Sequence, residues 1–166
     1  MAFPLWSSVL SVVQGLHSLD VQTSQTSPSQ RDKSARVATS AIISSPRINR
    51  ITGAVITAAM KVHSHLGPGL LESAYEACLA HELRKQNFRV AQQVGLPVIY
   101  DGERIELGYR IDLIVEDLVV VEIKCVEAIN PVHQAQLLSY IRLSGRHIGL
   151  LINFHVAHLQ AHGGRR

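Results

Sequence analysis

Cysteine is nearly absent from this 166-residue chain. The two present, Cys78 and Cys125, are too few for a disulfide scaffold and lack the spacing of a zinc site, so a reducing cytoplasm is the expected compartment. Charged residues are also sparse, 17% against 46% hydrophobic, a balance that suits one folded soluble domain with a real core. No apolar run reaches the roughly 18–20 residues a membrane-spanning helix needs, and no membrane association is expected. The first twenty residues are fairly apolar but lack a basic start, and Pro4, Ser7, Ser8 and Ser11 interrupt them; they make at most a weak targeting segment. There are no internal repeats. The net charge of +3 and pI of about 9.1 are compatible with a polyanionic partner without demanding one.

Residues 21–40 are rich in Ser, Thr and Gln and show no hydrophobic period, the composition of a disordered linker. Residues 1–46 are therefore expected to be a disordered or dispensable extension, with a single domain over 47–166. Ile48, Ile51, Val55, Ala58, Ala59, Val62 and Leu66 recur at helical spacing and predict a helix over about 47–65, ended by Gly67-Pro68-Gly69. A second helix is predicted over about 70–87, with Glu72, Tyr75 and Leu79 on one face.

Strands follow. Phe88 to Tyr100 should bend at Gly95 or Pro97, and Asp101-Gly102 is a hairpin turn signal. After it Ile105, Leu107, Tyr109, Ile111, Leu113 and Val115 alternate with Glu106, Gly108, Arg110 and Asp112, the pattern of one half-buried strand. Leu118 to Val126 reads as a central apolar strand. Asn130 and Pro131 announce a helix to about Leu143, and His147 to Phe154 a buried strand after it. The predicted order is ααβββαβ, an α/β sandwich with a mixed sheet.

Three charges interrupt the central strands: Asp112, Glu122 and Lys124. Burying a charge without a partner is costly. Two carboxylates and a lysine at one sheet edge can hold a divalent metal and activate water. Hard oxygens suit Mg²⁺ or Mn²⁺. Asp112 and Glu122 would anchor the ion, the Ile123 carbonyl would add a ligand, and Lys124 would orient or deprotonate the attacking water and steady the phosphate. The geometry carries a condition. A two-residue turn at Glu116-Asp117 would leave Glu122 on the face opposite Asp112. A connection of three or five residues, or a bulge, would set them together. The same residues also fit an edge strand with solvated charges and a Glu122–Lys124 pair.

Two helix patterns bear on that choice. Glu72 and Tyr75 share a face of the second helix. Gln136 and Tyr140 stand one turn apart on the third, with His133 one turn earlier. Amides and phenols are good partners for phosphates and base edges. Polar helix faces of this kind are also common without function. Gly67-Pro68-Gly69 is no phosphate cradle, since no P-loop lysine follows. The pairs His63/His65 and His155/His158 have no carboxylate or cysteine companion in sequence, and Cys125 fits simple packing.

Asp112, then Glu122-Ile123-Lys124, then Gln136-x-x-x-Tyr140 together resemble the PD-(D/E)xK nuclease superfamily, in its RecB-like exonuclease branch. The segment Gly69-x-x-Glu72-x-x-Tyr75 is similar to the motif of the GxxExxY proteins. Leu66 to Glu72, Gly108 to Asp112, Pro131 to Gln136 and Leu150 to Phe154 fit the same group, so the likeness covers about residues 47–160. It implies a restriction-endonuclease-like core and a nuclease that hydrolyses phosphodiester bonds in DNA with Mg²⁺ or Mn²⁺. It assigns Asp112, Glu122 and Lys124 to catalysis, Glu72 to the metal site, and Gln136, Tyr140 and Tyr75 to substrate binding or support. Two departures stand out: Ile111 occupies the place of the motif's proline, and Gly163-Gly164-Arg165-Arg166 stands where a further strand-like segment is expected. The competing function is a nucleic-acid-binding or partner-docking module on the same fold, without turnover.

Overall fold

The Ser45 hydroxyl accepts the Ile48 N–H at 3.3 Å, and Pro46 brings a fixed φ suited to a first turn; together they start a helix. In the computed structural model, which describes residues 10–14, 45–106 and 108–159, that helix is α1, Pro46–Leu66. Gly67 at φ +69° ends it, a conformation glycine takes freely. α2 spans Glu72–Lys85 and packs against α1. Strands β2 (Val90–Gly95), β3 (Val98–Tyr100), β4 (Glu103–Ile105), β5 (Arg110–Val115) and β6 (Val119–Lys124) come next, then α3 (Pro131–Leu143) and β7 (Ile148–Asn153).

The main sheet also takes in an N-terminal strand, β1 (Leu10–Gln14), and its order is β1-β7-β6-β5-β2. β6 and β7 are parallel, joined across α3 as a β-α-β unit, and every other neighbouring pair in this sheet is antiparallel. The sheet is mixed and flanked by helices, as expected. On one face α1 and α2 bury Ile51, Val55, Tyr75 and Leu79 against Leu113, Val121, Ile123 and Leu150. On the other α3 buries Leu137, Tyr140 and Ile141 against Ile114, Val120 and Leu151. Covered on both faces, β7 is buried along its whole length. α3 lies close to it because Gly149 has no side chain: a Cβ there would stand 2.7 Å from Leu137 and Ile141 carbons.

Three details differ from the sequence reading. The segment read as three strands holds five, and with β1 the described order is βααβββββαβ rather than ααβββαβ. Five residues of the expected N-terminal extension pair with β7, Leu10 opposite Ile152 through Gln14 opposite Ile148; its other residues up to Ser44 lie outside the described set. The long alternating strand through Ile105 and Val115 is two elements. Gly108, at φ +74°, interrupts it, and Ile105 and Tyr109 are exposed rather than facing the core. Leu107 lies outside the described residues. Ile111 packs on the α3 side while Leu113 and Val115 pack under α1 and α2, so the simple alternation breaks at Asp112. Other features follow the sequence. The bend falls between Gly95 and Val98, and Asp101 (φ +51°) and Gly102 (φ +78°) make the two-residue β3–β4 turn. No helix among the described residues is long and apolar enough to cross a membrane.

Candidate active site

The β5–β6 connection decides where the central charges go. Val115 pairs with Val119, Ile114 with Val120 and Leu113 with Val121, so Glu116, Asp117 and Leu118 form a three-residue link. The link has the odd length the sequence reading required, and its paired register runs to Leu113–Val121, one residue short of Asp112 and Glu122. Glu116 and Asp117 adopt φ of +54° and +59°. Glu116 is pinned there: its carboxylate accepts the Arg89 N–H at 2.7 Å and pairs with the Arg47 and Arg89 guanidinium groups at 3.5 Å.

At the other end of the hairpin the described ladder stops after Leu113–Val121. There the Ile123 N–H donates to Asp112 Oδ2 at 2.8 Å. Glu122 and Lys124 are two residues apart on β6 and share a face; Lys124 Nζ donates to Glu122 Oε1 at 2.8 Å. The Glu122 side chain is 3% exposed and that of Lys124 13%. Glu122 Oε2 is buried with no hydrogen-bond partner among the described residues. A buried carboxylate oxygen left without a donor costs about 1–3 kcal/mol or more, so this atom calls for a partner.

Electrostatics agree with that deficit. Burial, reinforced by the Asp112 charge, pushes the Glu122 carboxyl up to about 7 despite the Lys124 ammonium beside it. Burial also raises Asp112, against the pull of the Ile123 N–H and Lys124 and with help from the Glu76 and Glu72 charges. Burial by itself would lower Lys124, but its bond to Glu122 and the surrounding carboxylates prevail and hold the ammonium form above its ordinary pKa. Glu72, the first residue of α2, reaches the end of β6, where its Oε1 accepts the Cys125 N–H at 2.9 Å. Burial, with the Glu72 charge, pushes the Cys125 thiol up to about 11, so it is no activated nucleophile.

A family model of the PD-(D/E)XK nuclease superfamily matches residues 49–166. The chain belongs to the PD-(D/E)XK nuclease superfamily. No curated protein and no solved structure matches it. PD-(D/E)XK nucleases generally use divalent metals, and the residues here fit one. Among the described residues no three His, Cys, Asp or Glu side chains are gathered into a cage. A Mg²⁺-type ion does not require one: it keeps several waters and takes one or two carboxylates. The orphaned Glu122 Oε2 and the burial-raised carboxyls of Asp112 and Glu122 are the ligands such an ion would satisfy.

The remaining sequence candidates divide. Tyr75 is fully buried and stacks on Phe154, ring centroids 4.4 Å apart and 13° between planes. Its hydroxyl donates to Gly67 O at 2.6 Å and accepts the Leu70 N–H at 3.2 Å, so it braces the α1–α2 turn that places Glu72. Gln136 Nε2 donates to the Tyr140 hydroxyl at 2.8 Å on α3, which covers the sheet face of Val120 and hence, by strand alternation, of Glu122 and Lys124. His63 is buried with Nε2 2.8 Å from Val156 O, and His133 Nδ1 accepts the Asn130 N–H at the start of α3. A groove of about 580 Å³ between α1 and α2, lined by His65, Cys78 and His81 among others, holds none of the site's carboxylates.

Sequence reasoning passed over four polar residues near the site. Asn153, opposite Lys124 in the parallel register, is buried; its Oδ1 accepts the N–H groups of Val126 and His155 and its Nδ2 donates to Val126 O, clamping the exits of β6 and β7. Buried Glu76, half-buried Gln92 and exposed Gln93 form a hydrogen-bonded cluster beside Asp112. The available signals were a single amide closing an apolar strand, a second carboxylate one helical turn after Glu72, and adjacent glutamines within a strand.

Proposed function

We propose that this protein is a Mg²⁺- or Mn²⁺-dependent nuclease that hydrolyses phosphodiester bonds in DNA. The observation that carries the reading is Glu122: buried near the Asp112 charge, with one oxygen on Lys124 Nζ and the other without a donor among the described residues. Asp112, Glu122 and the Ile123 carbonyl would hold the ion, with Glu72 at the end of β6 completing the acidic set. A bound divalent ion supplies a low-pKa water and polarises the phosphodiester. Lys124, held on Glu122 Oε1, would orient or deprotonate the attacking water and neutralise charge on the phosphate. Gln136 and Tyr140 offer an amide and a phenol toward the same face for substrate, and Tyr75 supports Glu72 through the α1–α2 turn.

Within the superfamily we place the chain with the GxxExxY proteins of the RecB-like exonuclease branch, on Gly69, Glu72, Tyr75, Gln136 and Tyr140. We take residues 47–166 as the nuclease domain and residues 1–46 as an extension that adds the edge strand β1 to its sheet, and the compartment as the cytoplasm. The decisive experiment offers single- and double-stranded DNA and RNA to the pure protein with Mg²⁺ or Mn²⁺. Cleavage that chelator stops and metal restores supports the reading. Binding without cleavage under every condition favours the docking module, and neither binding nor cleavage defeats both.

A further inference from the structure

Successive residues of a strand point to opposite faces, yet Gln92 and Gln93 of β2 both donate to one carboxylate: Gln92 Nε2 to Glu76 Oε1 at 3.1 Å and Gln93 Nε2 to Glu76 Oε2 at 2.6 Å. Gln93 achieves this at φ +51°, a conformation that strains an L side chain and suits glycine. The strain has a local consequence. The register pairs Gln92 with Leu113 and Val94 with Ile111, which leaves Gln93 beside Asp112, and Gln93 Nε2 stands 3.4 Å from Asp112 Oδ1.

We propose that Gln93 is a positioning residue for Asp112, with its amide oriented by Glu76; the proposal rests on the metal-dependent reading above. A carboxylate only accepts hydrogen bonds, so Glu76 turns the donor end of each glutamine amide toward itself. With Nε2 fixed by Glu76, the second N–H of Gln93 faces Asp112. A flipped amide would set Gln93 Oε1 against the Asp112 carboxylate instead. Asp112 is then oriented from two sides, by the Ile123 N–H on Oδ2 and by Gln93 on Oδ1. The contact to Oδ1 is long, which leaves that oxygen able to take a further partner. Groups that orient a metal-binding carboxylate in this way govern affinity without touching the ion.

The test measures Mn²⁺ binding by calorimetry on the full chain without nucleic acid, alongside Tm and cleavage kinetics. Asp112→Ala defines the site. Gln93→Gly removes the amide and accepts φ +51° without strain, so its Tm should match or exceed that of the wild type. Its Mn²⁺ affinity should fall about tenfold or more, with kcat reduced and KM for DNA unchanged. Glu76→Gln keeps shape but lets the Gln93 amide flip, and should weaken Mn²⁺ binding several-fold at unaltered Tm. Wild-type Mn²⁺ affinity in the folded variants, or losses that merely follow Tm, would overturn the positioning role. If the wild type shows no Mn²⁺ binding that Asp112→Ala removes, the metal site itself falls and the proposal with it.

Discussion

The turn end of the β5–β6 hairpin and its open end both carry buried or tethered carboxylates, and they are served very differently. At the turn, Glu116 receives the Arg89 N–H and faces two guanidinium groups, which hold its carboxyl below the usual range. At the open end, a few residues along the same strands, burial raises both Asp112 and Glu122, the Glu76 and Glu72 charges add to the first and the Asp112 charge to the second, and one Glu122 oxygen has no donor among the described residues. A carboxylate with its full set of donors stabilises the chain as it stands. One that is short of donors lowers stability until something cationic arrives. The two ends thus separate a structural acid from a functional pair within one hairpin.

The largest expected break in this contrast is catalytic. Lys124→Ala or Glu122→Ala should lower kcat/KM for DNA cleavage by about 10²–10⁴-fold, read in a gel or fluorescence assay with Mn²⁺. Cleavage at wild-type rates by either variant would remove the open end from the chemistry.

Next is pH. A carboxyl raised to about 7 binds its proton in the folded state at pH values where the unfolded chain has released it. The contribution of Glu122 to the stability of the metal-free protein is therefore fully present below the unfolded pKa and is lost as pH rises through the folded one. For Glu122 the fall from pH 4.5 to 7 is worth about 3 kcal/mol as an upper bound. Glu116 has the opposite sign: its lowered carboxyl contributes stability above its ordinary pKa, lost as pH falls. Thermal melts from pH 5 to 8 should show Glu122→Gln flattening the loss toward alkaline pH, and added Mn²⁺ should restore stability at pH 8 in the wild type alone. A Glu122→Gln profile parallel to the wild type would defeat the assignment.

Smaller is the clamp behind the site. Asn153→Ala leaves the Val126 and His155 N–H groups and the Val126 carbonyl without their side-chain partner, and should destabilise by about 1–3 kcal/mol in denaturant titration. Smallest is Glu116→Ala, expected to lower Tm slightly while cleavage stays at the wild-type rate. A large loss of activity there would erase the distinction between the two ends.

Much of this was legible in the residues. Apolar spacing located α1, α2, α3 and β7, because a helix or strand that buries one side must repeat its apolar residues at its own period. Local chemistry marked Asn130-Pro131 and Asp101-Gly102, where a cap or turn needs particular side chains. Asp112, Glu122 and Lys124 stood out because charge is rare in an apolar strand. The sequence could state only the condition under which they meet, an odd-length link, since parity depends on one residue of register and both registers bury apolar side chains.

Tertiary structure decided the rest. The three-residue link was chosen in three dimensions, with Arg47 of α1 and Arg89 converging on Glu116 from distant parts of the chain. The break in alternation at Asp112 arises where Gly108 interrupts the strand and Gln93 twists the neighbour beside it. That twist brings Glu76 and Gln93 to Asp112, a link between a helix and two strands that no local period records. By itself the sequence determined the helices, the apolar strands and which charges are anomalous, because these follow from neighbours along the chain. Whether those charges share a face, and what orients them, depended on register and on distant partners, such as Glu72 and Cys125, 53 residues apart, which only the packed fold brings together.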